Sequence, residues 1–128
     1  ILESWVHRLL DAGVPASRIT LVGFSRGSHI TAYASARLKD TGIHTALMGS
    51  CTNGDIAGDG APLVLGGNLL NIYETTDVVL SCGVLAKRSQ LKSFKEVAIT
   101  TGKKHGAFYL PRSEWLAPLK KWIEETNH

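Results

Sequence analysis

Residues 21–30 read LVGFSRGSHI and set Ser25 between Gly23 and Gly27, in the order Gly-Phe-Ser-Arg-Gly. A serine hydroxyl is a weak nucleophile unless a base takes its proton during attack. Chemistry at Ser25 therefore requires a histidine, and the histidine requires a carboxylate to orient it and stabilise its cation. A serine presented on a tight, strained turn between strand and helix also needs small residues on either side. Side chains at those two positions would collide with the neighbouring strand and helix, and Gly23 and Gly27 supply the room. A structural reading stands beside this one, in which the glycines tighten a turn and Ser25 caps the helix. The flanks favour the chemical reading, with an apolar run before the serine and a helical pattern after it.

The partners that Ser25 would need are present. Apolar residues 69–73 run into Glu-Thr-Thr-Asp, which places Asp77 just past the end of a strand. Residues 94–100, with β-branched Val97, Ile99 and Thr100, run into Thr-Gly-Lys-Lys-His-Gly-Ala-Phe, which places His105 just past the next strand in a glycine-flanked loop. Of five histidines only His105 follows a strand; His7, His29, His44 and His128 fall on helices, a turn and the tail. Glu74 lies nearer the strand end than Asp77 and is the alternative acid. Asp55 and Asp59, in the loop after the preceding strand, are a third option, although such residues more often serve turns.

The elements that must carry these residues are legible in the apolar spacing. Leu2, Trp5, Val6, Leu9 and Leu10 mark a helix that stops at Gly13 and Pro15. Residues 19–22 form a short buried strand, and Ile30, Ala34 and Leu38 recur along a helix over 26–39, where Ala32, Ser35 and Ala36 allow close packing. Further strands are expected at 45–48, 69–73 and 94–100, separated by a glycine-rich loop over 52–66 and a partly helical stretch over 78–91. Trp115, Leu116, Leu119, Trp122 and Ile123 share one face of a last helix, whose Pro118 must sit in the first turn or kink it. Strands and helices alternate, and the strands are uniformly apolar. That implies one α/β domain over residues 1–128, three-layer αβα, with a mainly parallel sheet of about four strands. Loops at the carboxyl ends of parallel strands gather on one edge, so Ser25, Asp77 and His105 are expected to converge there.

The order serine, acid, histidine, each after a strand, resembles the α/β-hydrolase family. The resemblance spans the whole chain as the later portion of that fold. It implies Ser25 as nucleophile, His105 as base and then acid, Asp77 as its orienting carboxylate, and the backbone N–H of Arg26 as one oxyanion donor. It implies hydrolysis of a small-molecule ester through an acyl-enzyme, with no metal and no cofactor. Thioesterase, peptidase or dienelactone-hydrolase-like chemistry shares the same triad, and a catalytically silent binding or scaffold protein is the alternative of a different class. The family's earlier strands, and the loop that supplies its second oxyanion donor, have no counterpart here. The start at Ile1 and the single methionine, Met48, likewise suggest a processed or partial chain. The strand at 19–22 then becomes a sheet edge, through which self-association is expected. The connection over 52–67 is too short for a helical lid, which favours a small or flexible ester.

Composition narrows the remaining classes. With 44% hydrophobic and 20% charged residues the chain has the profile of a globular domain. Its net charge of +3 is spread out, with Lys87-Arg88 and Lys103-Lys104 as the densest basic runs, so nucleic acid is not an expected partner. The serine turn also lacks the Gly-x-x-x-x-Gly-Lys spacing of a phosphate-binding loop. No apolar run approaches the ~20 residues of a membrane span, and no export signal opens the chain, which leaves a cytoplasmic, periplasmic or secreted location open. Cys51 and Cys82 have no metal-type spacing. Two buried thiols are the expectation. A single disulfide is the alternative, because both follow apolar strands and could meet at one sheet edge.

Overall fold

A computed structural model describes residues 1–52, 56 and 62–128. Asp55 and Asp59 lie outside the described residues. The elements in chain order are α1 (Leu2–Asp11), β1 (Thr20–Phe24), α2 (Arg26–Arg37), β2 (His44–Met48), β3 (Asn68–Glu74), α3 (Gly83–Arg88), β4 (Ser93–Ile99) and α4 (Ser113–Thr126). The four strands form one sheet in sequential order β1-β2-β3-β4, and every pairing is parallel. Each strand therefore ends on the same edge of the sheet.

Period-two alternation divides the core. Leu47 and Leu69 pack with Ala32 of α2 and Leu85 of α3 on one face. Their neighbours Ala46, Met48, Leu70 and Ile72 pack on the other face, against Phe108 and against Leu119 and Trp122 of α4. With both faces covered, β2 is buried along its whole length: Ala46, Leu47 and Met48 are apolar, and the polar His44 and Thr45 are buried with hydrogen-bond partners. A third cluster joins Val6 of α1 to Ile19, Leu21, Ala34 and Leu38. Close approach of α2 to the sheet uses its small residues, and Ser35 Oγ and Thr45 Oγ1 share a buried hydrogen bond of 2.5 Å. Among the described residues β1 pairs only with β2, leaving Val22 44% exposed on a sheet edge.

Several expectations are adjusted. The serine strand extends to Phe24. Its helix ends at Arg37 and is followed by a 3-10 turn, Lys39–Thr41. His44, read as a turn residue, opens β2; its Nε2 lies 3.0 Å from Ser17 O. Only Gly83–Arg88 of the mixed stretch is helical. On α1 only Val6 is buried, and Trp5 remains 56% exposed beneath the Arg8 guanidinium, 4.8 Å from the ring centre. Pro118 lies beyond the first turn of α4, inside the helix, where it forgoes one intrahelical hydrogen bond while Leu119 and Trp122 anchor that helix in the core. The cysteines are not free thiols: Cys51 and Cys82 form a disulfide with a Cα–Cα distance of 5.3 Å. Cys51 follows β2 and pairs in an antiparallel bridge with Leu80, which brings the two sulfurs together at the sheet edge. No helix among the described residues is long and apolar enough to cross a membrane.

Candidate active site

The turn from β1 into α2 places Ser25 at φ 53°, ψ −119°, a conformation that L-residues rarely adopt and that costs roughly 1–3 kcal/mol. Hydrogen bonds hold it there. Ser25 N–H donates to Met48 O of β2 at 3.1 Å, and Ser25 O accepts the Ser28 N–H at 3.0 Å. Gly23 is required by contact, since a Cβ there would lie 2.6 Å from Ser28 Cα and 2.7 Å from Gly27 O. The same expectation fails for Gly27. A Cβ there meets nothing within 4 Å among the described residues, where β1 pairs only with β2. Ser25 precedes the first helical residue, yet its side chain makes no capping hydrogen bond. The hydroxyl turns to His105 instead.

His105 Nε2 lies 2.8 Å from Ser25 Oγ, and His105 Nδ1 lies 2.8 Å from Asp77 Oδ2. These residues are 80 and 28 positions apart in the chain, and the parallel sheet brings them to one edge. Asp77 follows β3 in a turn whose N–H donates to Glu74 O at 3.0 Å. Its carboxylate is 3% exposed and takes the Val78 N–H on Oδ1 at 2.7 Å. An ionised carboxylate only accepts, so the proton of a neutral imidazole sits on Nδ1 and leaves the Nε2 lone pair facing the serine O–H. His105 lies in a short 3-10 turn, Lys104–Phe108, rather than an open loop, and its ring is 31% exposed. As the first residue of α2, next to Ser25 in the chain, Arg26 has a backbone N–H with no acceptor inside the helix.

Four residues that the sequence reading did not assign to the site, or assigned differently, shape it. Gly49, at φ 57°, lies under the imidazole: a Cβ there would be 3.0 Å from His105 Cε1 and 3.2 Å from Nδ1. Phe24 and Tyr109 flank the His105 ring, at centroid distances of 5.1 and 6.5 Å. Glu74, the alternative acid, does not reach His105. It is fully buried, and both its oxygens are taken by donors from the turns after β3 and β4. Burial alone would raise its pKa, but hydrogen bonds from the Thr101 and Thr76 side chains and backbone outweigh burial and lower it from 4.5 to about 2. No spacing rule marks Gly49 or Phe24; Tyr109 lies four residues past His105 with nothing to distinguish it from core aromatics.

The far end of the acid turn is also fixed. Glu96 of β4 accepts from Ser81 Oγ at 2.7 Å and from Cys82 N–H at 2.8 Å, and Asn71 Nδ2 donates to Glu96 Oε2 at 2.8 Å and to Leu80 O at 3.1 Å. Together with the disulfide, these bonds tie residues 80–82 to β2, β3 and β4. Asp77 thus sits on a short segment anchored at both ends. No group of side chains among the described residues has the arrangement of a metal site.

The architecture is the α/β fold expected from the sequence, a four-stranded all-parallel sheet flanked by helices, whose first, third and fourth strands lead into the serine, carboxylate and histidine turns. The comparisons with known proteins bear on that fold. No protein-family model matches the sequence, and no curated protein matches it. Among solved structures the chain is similar to the Francisella virulence factor BioJ, with a TM-score of 0.58 and 12% sequence identity. The likeness covers 97% of this chain and 57% of that one, and at this identity it speaks for the fold alone.

Proposed function

We propose that the protein is a serine hydrolase that cleaves a carboxylic ester of a small molecule through an acyl-enzyme. The observation that carries this reading is the row Ser25 Oγ, His105 Nε2, His105 Nδ1, Asp77 Oδ2, with both hydrogen bonds at 2.8 Å and the serine on strained backbone. Ser25 Oγ attacks the ester carbonyl while His105 Nε2 takes its proton. Asp77 stabilises the resulting imidazolium and keeps Nε2 directed at the serine. The negative charge developing on the carbonyl oxygen is met by the Arg26 N–H, a type of donor worth about 10²–10³ in rate. Collapse of this intermediate breaks the ester C–O bond, and His105 returns the proton to the departing alcohol. Water, deprotonated by the same nitrogen, then releases the acid and restores Ser25. None of these steps uses a metal or a cofactor.

Hydrolysis of p-nitrophenyl acetate tests the reading. Ser25→Ala and His105→Ala are expected to lower kcat/KM by roughly 10³-fold or more, because the row acts as a unit. Asp77→Asn, which favours the wrong histidine tautomer, is expected to cost on the order of 10³–10⁴ in kcat. Turnover that survives in the Ser25→Ala protein would overturn the proposal.

A further inference from the structure

A buried carboxylate stands outside the proposed mechanism. Glu74 is the last residue of β3, is 0% exposed, and pairs in register with Ile99, the last residue of β4. Its Oε1 accepts from Thr76 N–H and from Thr76 Oγ1 at 2.7 Å. Its Oε2 accepts from Thr101 N–H at 3.0 Å, Thr101 Oγ1 at 2.5 Å and Lys103 N–H at 3.2 Å. One oxygen thus holds the residue before Asp77, and the other holds the stretch that ends two residues before His105. Beyond this carboxylate the two turns are joined by Thr75 N–H to Ile99 O at 2.8 Å, by the Thr75 and Thr100 hydroxyls at 2.9 Å, and by Lys104 N–H to Thr76 Oγ1 at 3.3 Å. The last of these itself depends on Thr76, which Glu74 holds.

We infer that Glu74 is a positioning residue, a buried carboxylate that clamps the Asp77 turn to the His105 turn and so sets the Asp77–His105 hydrogen bond. The inference rests on the hydrolase reading for its consequence in rate, though not for its structural content. A sheet of parallel strands fixes the roots of the two turns but not their tips, since the ladder ends at the Glu74 and Ile99 pair. Without the carboxylate the Thr76 and Thr101 N–H groups would lose their acceptor, and Lys103 N–H would keep only Thr101 Oγ1 at 3.1 Å, a bond within its own turn. Five donors converge on one ionised group, and charge-assisted hydrogen bonds are about twice as strong as neutral ones. The depressed pKa of Glu74 agrees with a group that stays ionised whenever the site is assembled. Glutamine is nearly isosteric but presents an N–H₂ where one oxygen stood. It must turn two donors toward either the Thr76 or the Thr101 side, so one turn is released.

Two readouts on the whole chain test this. The first is the rate at which a fluorophosphonate modifies Ser25; the second is the downfield proton resonance of His105 Nδ1–H, which reports its bond to Asp77 directly. In Glu74→Gln protein that circular dichroism shows to be folded, labelling is expected to slow on the order of tenfold to a hundredfold, the scale of a small misplacement of reacting groups. The Nδ1 proton is expected to broaden through exchange with solvent. Thr101→Val, which removes one hydroxyl donor and keeps the shape, is expected to fall between. Should Glu74→Gln fail to fold, Thr101→Val and Thr76→Val decide the matter on the same two readouts. A variant that melts earlier yet keeps the wild-type labelling rate and the wild-type resonance would reduce Glu74 to a structural role and overturn the inference. Wild-type protein whose Ser25 is never labelled would sink the hydrolase reading instead, and the resonance would still decide the role of Glu74.

Discussion

Removing the Cys51–Cys82 disulfide by the double substitution Cys51→Ala/Cys82→Ala releases a constraint whose size follows from its place in the chain. The bridge closes a loop with a sequence separation of 31, and both cysteines are fully buried. In the chain-entropy account a loop of that length restricts the unfolded ensemble by ~12 cal/mol/K, or about 3.7 kcal/mol at 25 °C. For an m-value of about 2 kcal/mol/M in urea, that is a midpoint lower by about 2 M. Equilibrium urea unfolding followed by circular dichroism measures it directly. Wild-type protein unfolded in urea with dithiothreitol and then refolded serves as the reduced comparison. The site should be affected much less than the stability, because Cys82 N–H remains bound to Glu96 and the residues facing Leu80 remain paired. A midpoint shift below roughly 0.5 M would refute the entropic reasoning, since it is far outside the range of m for a domain of this size.

Two further outcomes follow from the geometry. Gly49→Ala places a Cβ 3.0 Å from His105 Cε1 on backbone at φ 57°. It should cost about 1–2 kcal/mol in thermal stability and slow ester hydrolysis on the order of tenfold or more as the imidazole is displaced, both measured on the same preparation. Glu74, whose pKa is lowered from 4.5 to about 2, contributes stability that is complete above pH 4.5 and is lost as pH falls through that interval toward 2. Urea midpoints across the interval should fall in wild-type protein and much less in Glu74→Gln.

The strands and the site were legible for different reasons. β2 and β3 are buried on both faces, so short, mainly apolar runs betrayed them despite Thr45 and Asn71, and their parallel pairing forced the turns that follow onto one edge. That brought the turns carrying Ser25, Asp77 and His105 to one edge, because each turn follows a strand end. Position after the strand end was the only sequence signal that favoured Asp77 over Glu74. The difference is that Glu74 is still the last strand residue, its side chain held inside by Thr76 and Thr101, whereas Asp77 is carried out by the turn. Gly49 was hidden because its demand comes from a ring 56 residues away in sequence, a contact that leaves no local pattern. Gly27 shows the converse: it fits a five-residue motif, while the space around it is open in this chain. The disulfide was only the second reading, because two cysteines following apolar strands can meet at a sheet edge but carry no spacing signal that they do. Their meeting depends on the antiparallel bridge of Cys51 with Leu80, which breaks the otherwise parallel order.

The central claim is that the Ser25 hydroxyl is an activated nucleophile, and covalent modification reads it most directly. Incubation with a fluorophosphonate followed by peptide mass spectrometry is expected to place one phosphonyl adduct on Ser25, absent in Ser25→Ala and strongly slowed in His105→Ala. An adduct on another residue, or labelling of Ser25 at the same rate without His105, would contradict the claim.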